Sequence, residues 1–375
     1  MSGRYRLYAL IVLPLISATA TQADEPAGAS VKEVQRAVEK GLFFVEKTTM
    51  NWWEKKKCVS CHEGPALMFS HNIARRQGFN VPLEKLEFWT DRWILVGGLV
   101  NKRKDGRMDA GGMLGAPLTM AFRDTASDLD QARAEKFGKL MQIAINDWHQ
   151  EDGNWDIKVG LDYQPWIALA LESFEASKWP ISDEVRSEIA ERGKRTEAWM
   201  LNTEHPMPEK TEDIAAWLVY EHHRGRSDRV SEFVDELKKR QRDDGLWGIT
   251  VESETGHQLV TGAVLFALTS IGRDTSDPLV AQVQRLLLDL QQKDGRWKEG
   301  GRIFDDGSEP ENIVYNNWTT AVVCAGLSQT IRLPAGTEPL FVPGVKQRAY
   351  VDEVTQQAAE AYKGGDYGDS AEDPT

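Results

Sequence analysis

"QRDDGLW", residues Gln241 to Trp247, closes an amphipathic run, "SEFVDELKKRQR", and opens onto an apolar one, "QLVTGAVLFALTSIG". Apolar residues recur three and four apart in both runs, which is the period of a helix. The Asp-Gly pair between them marks a turn. The same order appears in "QEDGNW" (Gln150 to Trp155) before "YQPWIALALESF", and in "QKDGRW" (Gln292 to Trp297) before "NWTTAVVCAGLSQTI". A degenerate copy, "KRKDGRMD", carries Gly106 at the turn. Gly153 follows Gly106 by 47 residues, Gly245 follows after 92, and Gly295 after 50. The repeat is therefore near 46 residues with one turn skipped. The skipped turn falls near residue 199, inside "WMLNTEHPMPEKTEDIAAWLVYEHH", where a helix ends, a Pro-bearing loop follows and a helix begins. One repeat before Gly106 lands near residue 59, in "KKKCVSCHEGPA" (Lys55 to Ala66). The spacing predicts an all-α chain of about six helical hairpins.

Hairpins of this length cannot each bury two apolar faces alone, so they stack as a solenoid or close into a ring. The Gln…Asp-Gly-x-Trp turns resemble the QW repeats of squalene–hopene cyclases and related prenyltransferase-fold proteins. The resemblance spans residues 30–333. It implies an α6–α6 toroid with inner helices around an apolar central cavity, and an isoprenoid-like small molecule as ligand. It also implies that Gln150/Trp155, Gln241/Trp247 and Gln292/Trp297 tie neighbouring outer helices together. The chain departs from the family where the chemistry lies. The D-x-D-D acid of the cyclases is missing from the sequence, as are the Gly-Cys-Gly-Glu-Gln thioester and the Asp/Cys/His zinc set of other toroids. "DDGSE" (Asp305 to Glu309) looks like a diphosphate–magnesium motif but reads as a solvated loop.

The bulk properties narrow the class. The chain has 375 residues, 41% of them hydrophobic, and a net charge of −13. An acidic surface repels phosphate backbones and argues against nucleic acid as a partner. Residues 1–23 read as a signal peptide: Arg4 and Arg6, the ten-residue apolar run "LYALIVLPLI", then Ala18-Thr19-Ala20 or Thr21-Gln22-Ala23 as cleavage site. The mature protein is then expected to begin near Asp24 and to be periplasmic or secreted, with no transmembrane anchor left after signal removal. Residues 334–375 follow the repeats as a strap ("AGTEPLFVPG"), a short helix ("VDEVTQQAAEAY") and an acidic end.

Export makes the cysteines informative, because an oxidising compartment pairs free thiols. There are three, and Cys324 sits in the apolar run "TTAVVCAGL", where a buried thiol is expected. Cys58 and Cys61 remain, with His62 directly after. A disulfide with an adjacent surface histidine, another metal, and covalent haem c all use this spacing. Zinc lacks its fourth ligand locally. The haem reading uses every residue: Cys58 and Cys61 bind the porphyrin and His62 becomes the proximal ligand of the iron. The flanks form one helical hairpin rather than a small cytochrome domain. The pattern resembles QW-type proteins whose first turn carries C-x-x-C-H, which implies a haem at one rim of the toroid.

In a closed ring the other turns at that rim supply the distal side. They contain Met108 and Met113, Asp162 and Tyr163, His205 and Met207, His257 and Tyr315. His257, His205 and Met207 are the candidates for the sixth position, with His257 preferred as ligand or catalytic group. His71 is expected to point away from the iron, and His222-His223 to lie at the opposite rim. The expected function is redox: a haem-dependent oxidoreductase acting on an apolar substrate, or an electron carrier docking a basic redox partner protein. The alternative is a haem-free cyclase-like or ligand-binding toroid with a Cys58–Cys61 disulfide.

Overall fold

The helical period of each run becomes a helix in the structure, a computed structural model. It describes residues 28–56, 63–90, 131–155, 164–176, 181–202, 206–298 and 313–363. Among them are twelve helices and no strand. The first hairpin is α1 (Val31–Lys56) and α2 (Glu63–Arg76), followed by α3 (Leu83–Trp89). Next come α4 (Gln131–Trp148) with α5 (Gln164–Ala176), and α6 (Asp183–Asn202) with α7 (Thr211–His223). The last hairpins are α8 (Ser227–Arg240) with α9 (Gln258–Ser270), and α10 (Pro278–Leu290) with α11 (Ile313–Gln329), before a terminal α12 (Val345–Lys363). The turn expected around Gly106 lies outside the described residues, as do the signal peptide, the acidic end and "DDGSE".

The second helix of each hairpin is the more buried one, and these helices form the inner ring of an α/α toroid. α5 packs on α7, α7 on α9, α9 on α11, and α11 on α2. The last pair closes the chain on itself. The inner helices run parallel. Gly262 of α9 lies beside Val323 of α11, and Thr269 Oγ1 donates to Gln329 Oε1 (2.6 Å) further along both. Asn317 Nδ2 donates to Glu63 Oε2 near the starts of α11 and α2, while Leu333 N donates to Gln77 O (2.8 Å) beyond their ends. Glu172 of α5 pairs with His223 and Arg224 at the end of α7. The described inner helices therefore all begin at one rim and end at the other.

The turns follow a single register, which corrects the sequence reading. Counting from each turn glycine, the residue four before it is His149, Gln241 or Gln291, and the tryptophan lies two after. Gln241 Nε2 donates to Gly245 O (3.0 Å), and Gln291 Nε2 donates both to Gly295 O (2.9 Å) and across to Ala37 O of α1 (2.8 Å). Gln292 bonds only locally, to Leu290 O, and Gln150 likewise to Trp148 O. The inter-helix tie thus belongs to Gln291, and in the first of these turns His149 takes the glutamine's place.

The tryptophans divide: Trp155 reaches the neighbouring outer helix, as the resemblance implies, whereas the indole N–H groups of Trp247 and Trp297 bond within their own hairpins. Trp247 Nε1 donates to Leu237 O (2.7 Å) and Trp297 Nε1 to Leu287 O (2.6 Å). Each carbonyl belongs to the last turn of its own outer helix, where it has no intrahelical donor. Each indole N–H thus closes its own hairpin, while the Trp297 ring also stands against Gly41 of the neighbouring outer helix α1. At Trp155 the corresponding carbonyl, Ile145 O, is already taken by His149 N, and the indole donates instead to Thr196 Oγ1 of α6 (3.0 Å).

The C-terminal strap lies on α1. Glu39 Oε2 accepts from Leu340 N and Phe341 N (both 2.8 Å), and Gln35 Nε2 donates to Glu338 O (2.9 Å). The helix that follows begins at Val345, earlier than the expected "VDEVTQQAAEAY", because Gln347 N and Arg348 N both donate to Gly344 O.

Candidate functional site

Two of the site residues proposed from sequence, His257 and Met207, are described, and both lie at the rim where the inner helices begin. Cys58, Cys61 and His62 lie outside the described residues, in the six-residue connection between α1 and α2. Their neighbours on both sides are described. Glu63, the first residue of α2, is 1% exposed. Burial pushes its carboxyl up to about 8, partly offset by the hydrogen bond from Asn317. Thr49 Oγ1 of α1 donates to Glu63 O, so α1, α2 and α11 meet just beside residue 62.

His257 is the N-cap of α9 at this same rim. Its backbone is pinned, with N donating to Trp247 O (2.8 Å) and O accepting from Thr261 Oγ1 (2.7 Å). The residue is 4% exposed. One inner helix, α11, separates α9 from α2. Met207 is half-buried in the loop before α7, at the same rim, and packs against the core. His205, Met108, Met113, Asp162 and Tyr163 fall outside the described residues. The structure thus brings His257 and Met207 to the rim that carries residue 63. His222 and His223 end α7 at the opposite rim.

Below the rim the ring interior is occupied. Phe69 of α2 meets Phe266 of α9 edge-on at 5.2 Å, although α11 lies between those helices. Phe266 in turn meets Trp166 of α5 (6.1 Å), and Phe69 meets Trp318 of α11 (6.0 Å). The Phe69–Phe266 and Phe266–Trp166 contacts each skip a ring neighbour, so they cross the middle. The apolar central cavity expected from the resemblance is at this depth a layer of packed aromatic rings. Aromatic pairs of this kind add about 0.5–1.5 kcal/mol each beyond their burial. Of the tryptophans, this places Trp166 and Trp318 in the interior and Trp155, Trp247 and Trp297 at the turns.

Cys324 is fully buried in α11. Its Sγ packs against the backbone at Gly41 and lies 3.8 Å from Val38 O, and burial drives its thiol well above the usual range. No group of three or more His, Cys, Asp or Glu side chains able to hold a metal occurs among the described residues. No described helix is long and apolar enough to cross a membrane.

The sequence reading passed over a second buried cluster. His71 Nδ1 lies 2.9 Å from Leu67 O, a carbonyl that can only accept, so Nδ1 carries the proton. The ring meets Trp89 of α3 edge-on at 5.1 Å. Burial lowers its pKa to about 4, partly countered by the Glu46 carboxylate. Glu46 is buried between Lys85 of α3 and Arg348 of α12, with Arg348 Nη1 at 2.9 Å. Burial works to raise the Glu46 pKa, but those two cations outweigh it and hold it below the usual range. Because unfolding returns His71 to about 6.5, its share of stability is complete above that pH and is lost as pH falls toward 4. The loss amounts to about 3 kcal/mol at 1.36 kcal/mol per unit. Urea titrations of wild type and His71→Gln should show the pH slope between 6.5 and 4 shrinking by about that amount in the variant. Equal slopes would place the proton uptake elsewhere.

No protein-family model matches the chain, and no curated protein matches it. Among solved structures, a polysaccharide lyase superposes with a TM-score of 0.50 over 78% of this chain and 96% of its own, at 10% identity. At that identity the likeness is one of fold: a helical toroid.

Proposed function

We propose that this chain is an exported c-type haem protein with a redox function, built on a toroid related to the squalene–hopene cyclase fold. The observation that carries this reading is the burial of Cys324. A thiol sealed between α1 and α11 cannot pair with Cys58 or Cys61, so those two are left to each other and to His62. The helix that directly follows their segment, α2, begins at the rim where His257 and Met207 also lie. Cys58 and Cys61 would hold the porphyrin, and His62 the iron. Bound there, haem would supply one-electron iron chemistry. The chain's own part is to bind, orient and exclude water. The Phe69–Phe266–Trp166–Trp318 layer closes the ring beneath the rim, so a small apolar molecule would enter from the rim side only. A redox partner protein would likewise meet the site at the rim.

Protein exported with haem c maturation should keep peroxidase stain on a denaturing gel, because the thioether links survive unfolding. Cys58→Ala with Cys61→Ala should abolish the stain. An intact wild-type mass without the haem increment would overturn the reading. If that mass is instead lower by two hydrogens, the disulfide-clipped, haem-free toroid takes its place.

His257 separates oxidoreductase from electron carrier. As the sixth ligand it gives a low-spin spectrum that turns high-spin in His257→Ala, and the protein is an electron carrier. As a distal base it leaves a high-spin site that binds cyanide, and its loss slows reaction with peroxide by about 10²–10⁴-fold. If His257→Ala changes neither spectrum nor rate, His257 is only the N-cap of α9 and the distal group lies elsewhere.

A further inference from the structure

A groove of about 330 Å³ lies on the outer face of the ring, at the seam where the last turn meets α1 and the strap. It is lined by four cationic side chains, Lys40, Lys47, Lys293 and Arg296, against one acid, Asp294. Arg296 and Asp294 pair with each other at 3.4 Å. The three lysines form no ion pair among the described residues. In a chain of net charge −13, three lysines around one concavity that make no ion pair among the described residues call for an anion.

The remaining lining says what kind. Phe43, Phe44 and Phe341 provide apolar walls, and Thr48, Asn51, Asn316 and Gln347 provide neutral donors and acceptors. The floor is held in place: Phe43 and Phe341 pack 5.9 Å apart, and the Arg348 guanidinium lies 5.0 Å over the Phe43 ring. A bare phosphate would make no use of ring faces, and three lysines rather than a bidentate arginine pair dominate the charged lining. A fatty acid would find amides and ammonium groups where its tail should lie. A pyranose has an apolar C–H face for an aromatic ring, hydroxyls for amide side chains and, in a uronate, a carboxylate for lysine. The volume sits at the lower end of ligand pockets and holds one or two sugar units. We propose that this seam groove binds a carboxylated saccharide, a uronate mono- or disaccharide unit. The proposal is independent of what residues 58–62 hold.

Calorimetric titration of the full chain with digalacturonate tests it. Binding is expected with a Kd on the order of 10⁻⁴ M, weakening as salt is raised. Lys47→Ala with Lys293→Ala should weaken it about tenfold, the sum expected of two exposed charge contacts. Lys47→Arg should retain it, and Lys239→Ala, a surface lysine on α8, should leave it unchanged. Both groove lysines are exposed, so the double variant is expected to keep the wild-type unfolding midpoint. Equal affinity for cellobiose, a neutral disaccharide, would refute the anionic class. Inorganic phosphate binding as tightly as digalacturonate would refute the saccharide. No heat at millimolar ligand, or a double variant that binds like wild type, would refute the groove.

Discussion

Replacing Trp247 with alanine is expected to lower the free energy of unfolding by about 3–5 kcal/mol. The indole is fully buried, so its loss leaves a cavity bounded by α8 and α9. Its Nε1–H also satisfies Leu237 O, a carbonyl at the end of α8 that nothing else within the helix can reach. The backbone at this position is held independently, with Trp247 N donating to Thr261 Oγ1 (3.1 Å) and Trp247 O accepting from His257 N. The turn therefore cannot easily collapse into the void. Chemical denaturation of the variant is the measurement. A loss below about 1 kcal/mol would mean the hairpin does not depend on its indole plug.

Gly295→Ala is expected to cost about 2–5 kcal/mol, and to act on ring closure rather than on one hairpin. Gly295 has φ of +95°, a backbone conformation that costs an L-residue about 1–2 kcal/mol. An added Cβ would also stand 2.5 Å from Lys40 O of α1, and a backbone carbonyl cannot step aside as a flexible side chain does. Overpacking of this kind adds about 1–3 kcal/mol. The turn would have to lift from α1, which breaks the Gln291–Ala37 bond and moves Trp297 off Gly41. Gly272, also at positive φ (+87°) but with open space where its Cβ would go, is the control and should cost only the conformational part. Equal losses at the two sites would show that the seam contact contributes nothing. Protection of α1 amides from hydrogen exchange should fall in Gly295→Ala and stay unchanged in Gly272→Ala.

The sequence by itself determined the hairpins. Helix period, Asp-Gly turns and a spacing near 46 residues are local signals, each set by dihedral preferences within a few residues. The burial of Cys324 and the rim position of His257 follow from the same locality, because one lies mid-run in an apolar helix and the other sits where such a run begins. Tertiary structure alone decided the long-range partners. Which glutamine reaches a neighbouring helix depends on docking: Gln291 and Gln292 are adjacent in the chain, yet only Gln291 faces α1. The exchange of Gln for His149 is legible by counting from glycine and tryptophan along the chain, but that this position rather than its neighbour makes the inter-helix tie is shown only by docking. The aromatic layer joins residues on four helices, and the His71–Glu46–Arg348 cluster joins α2, α1 and α12. The seam groove exists only because the last turn returns to α1 some 250 positions away. A local pattern fixes which face of a helix is apolar. Which other face it meets is set by closure of the whole ring, and that is information no single window of the chain contains.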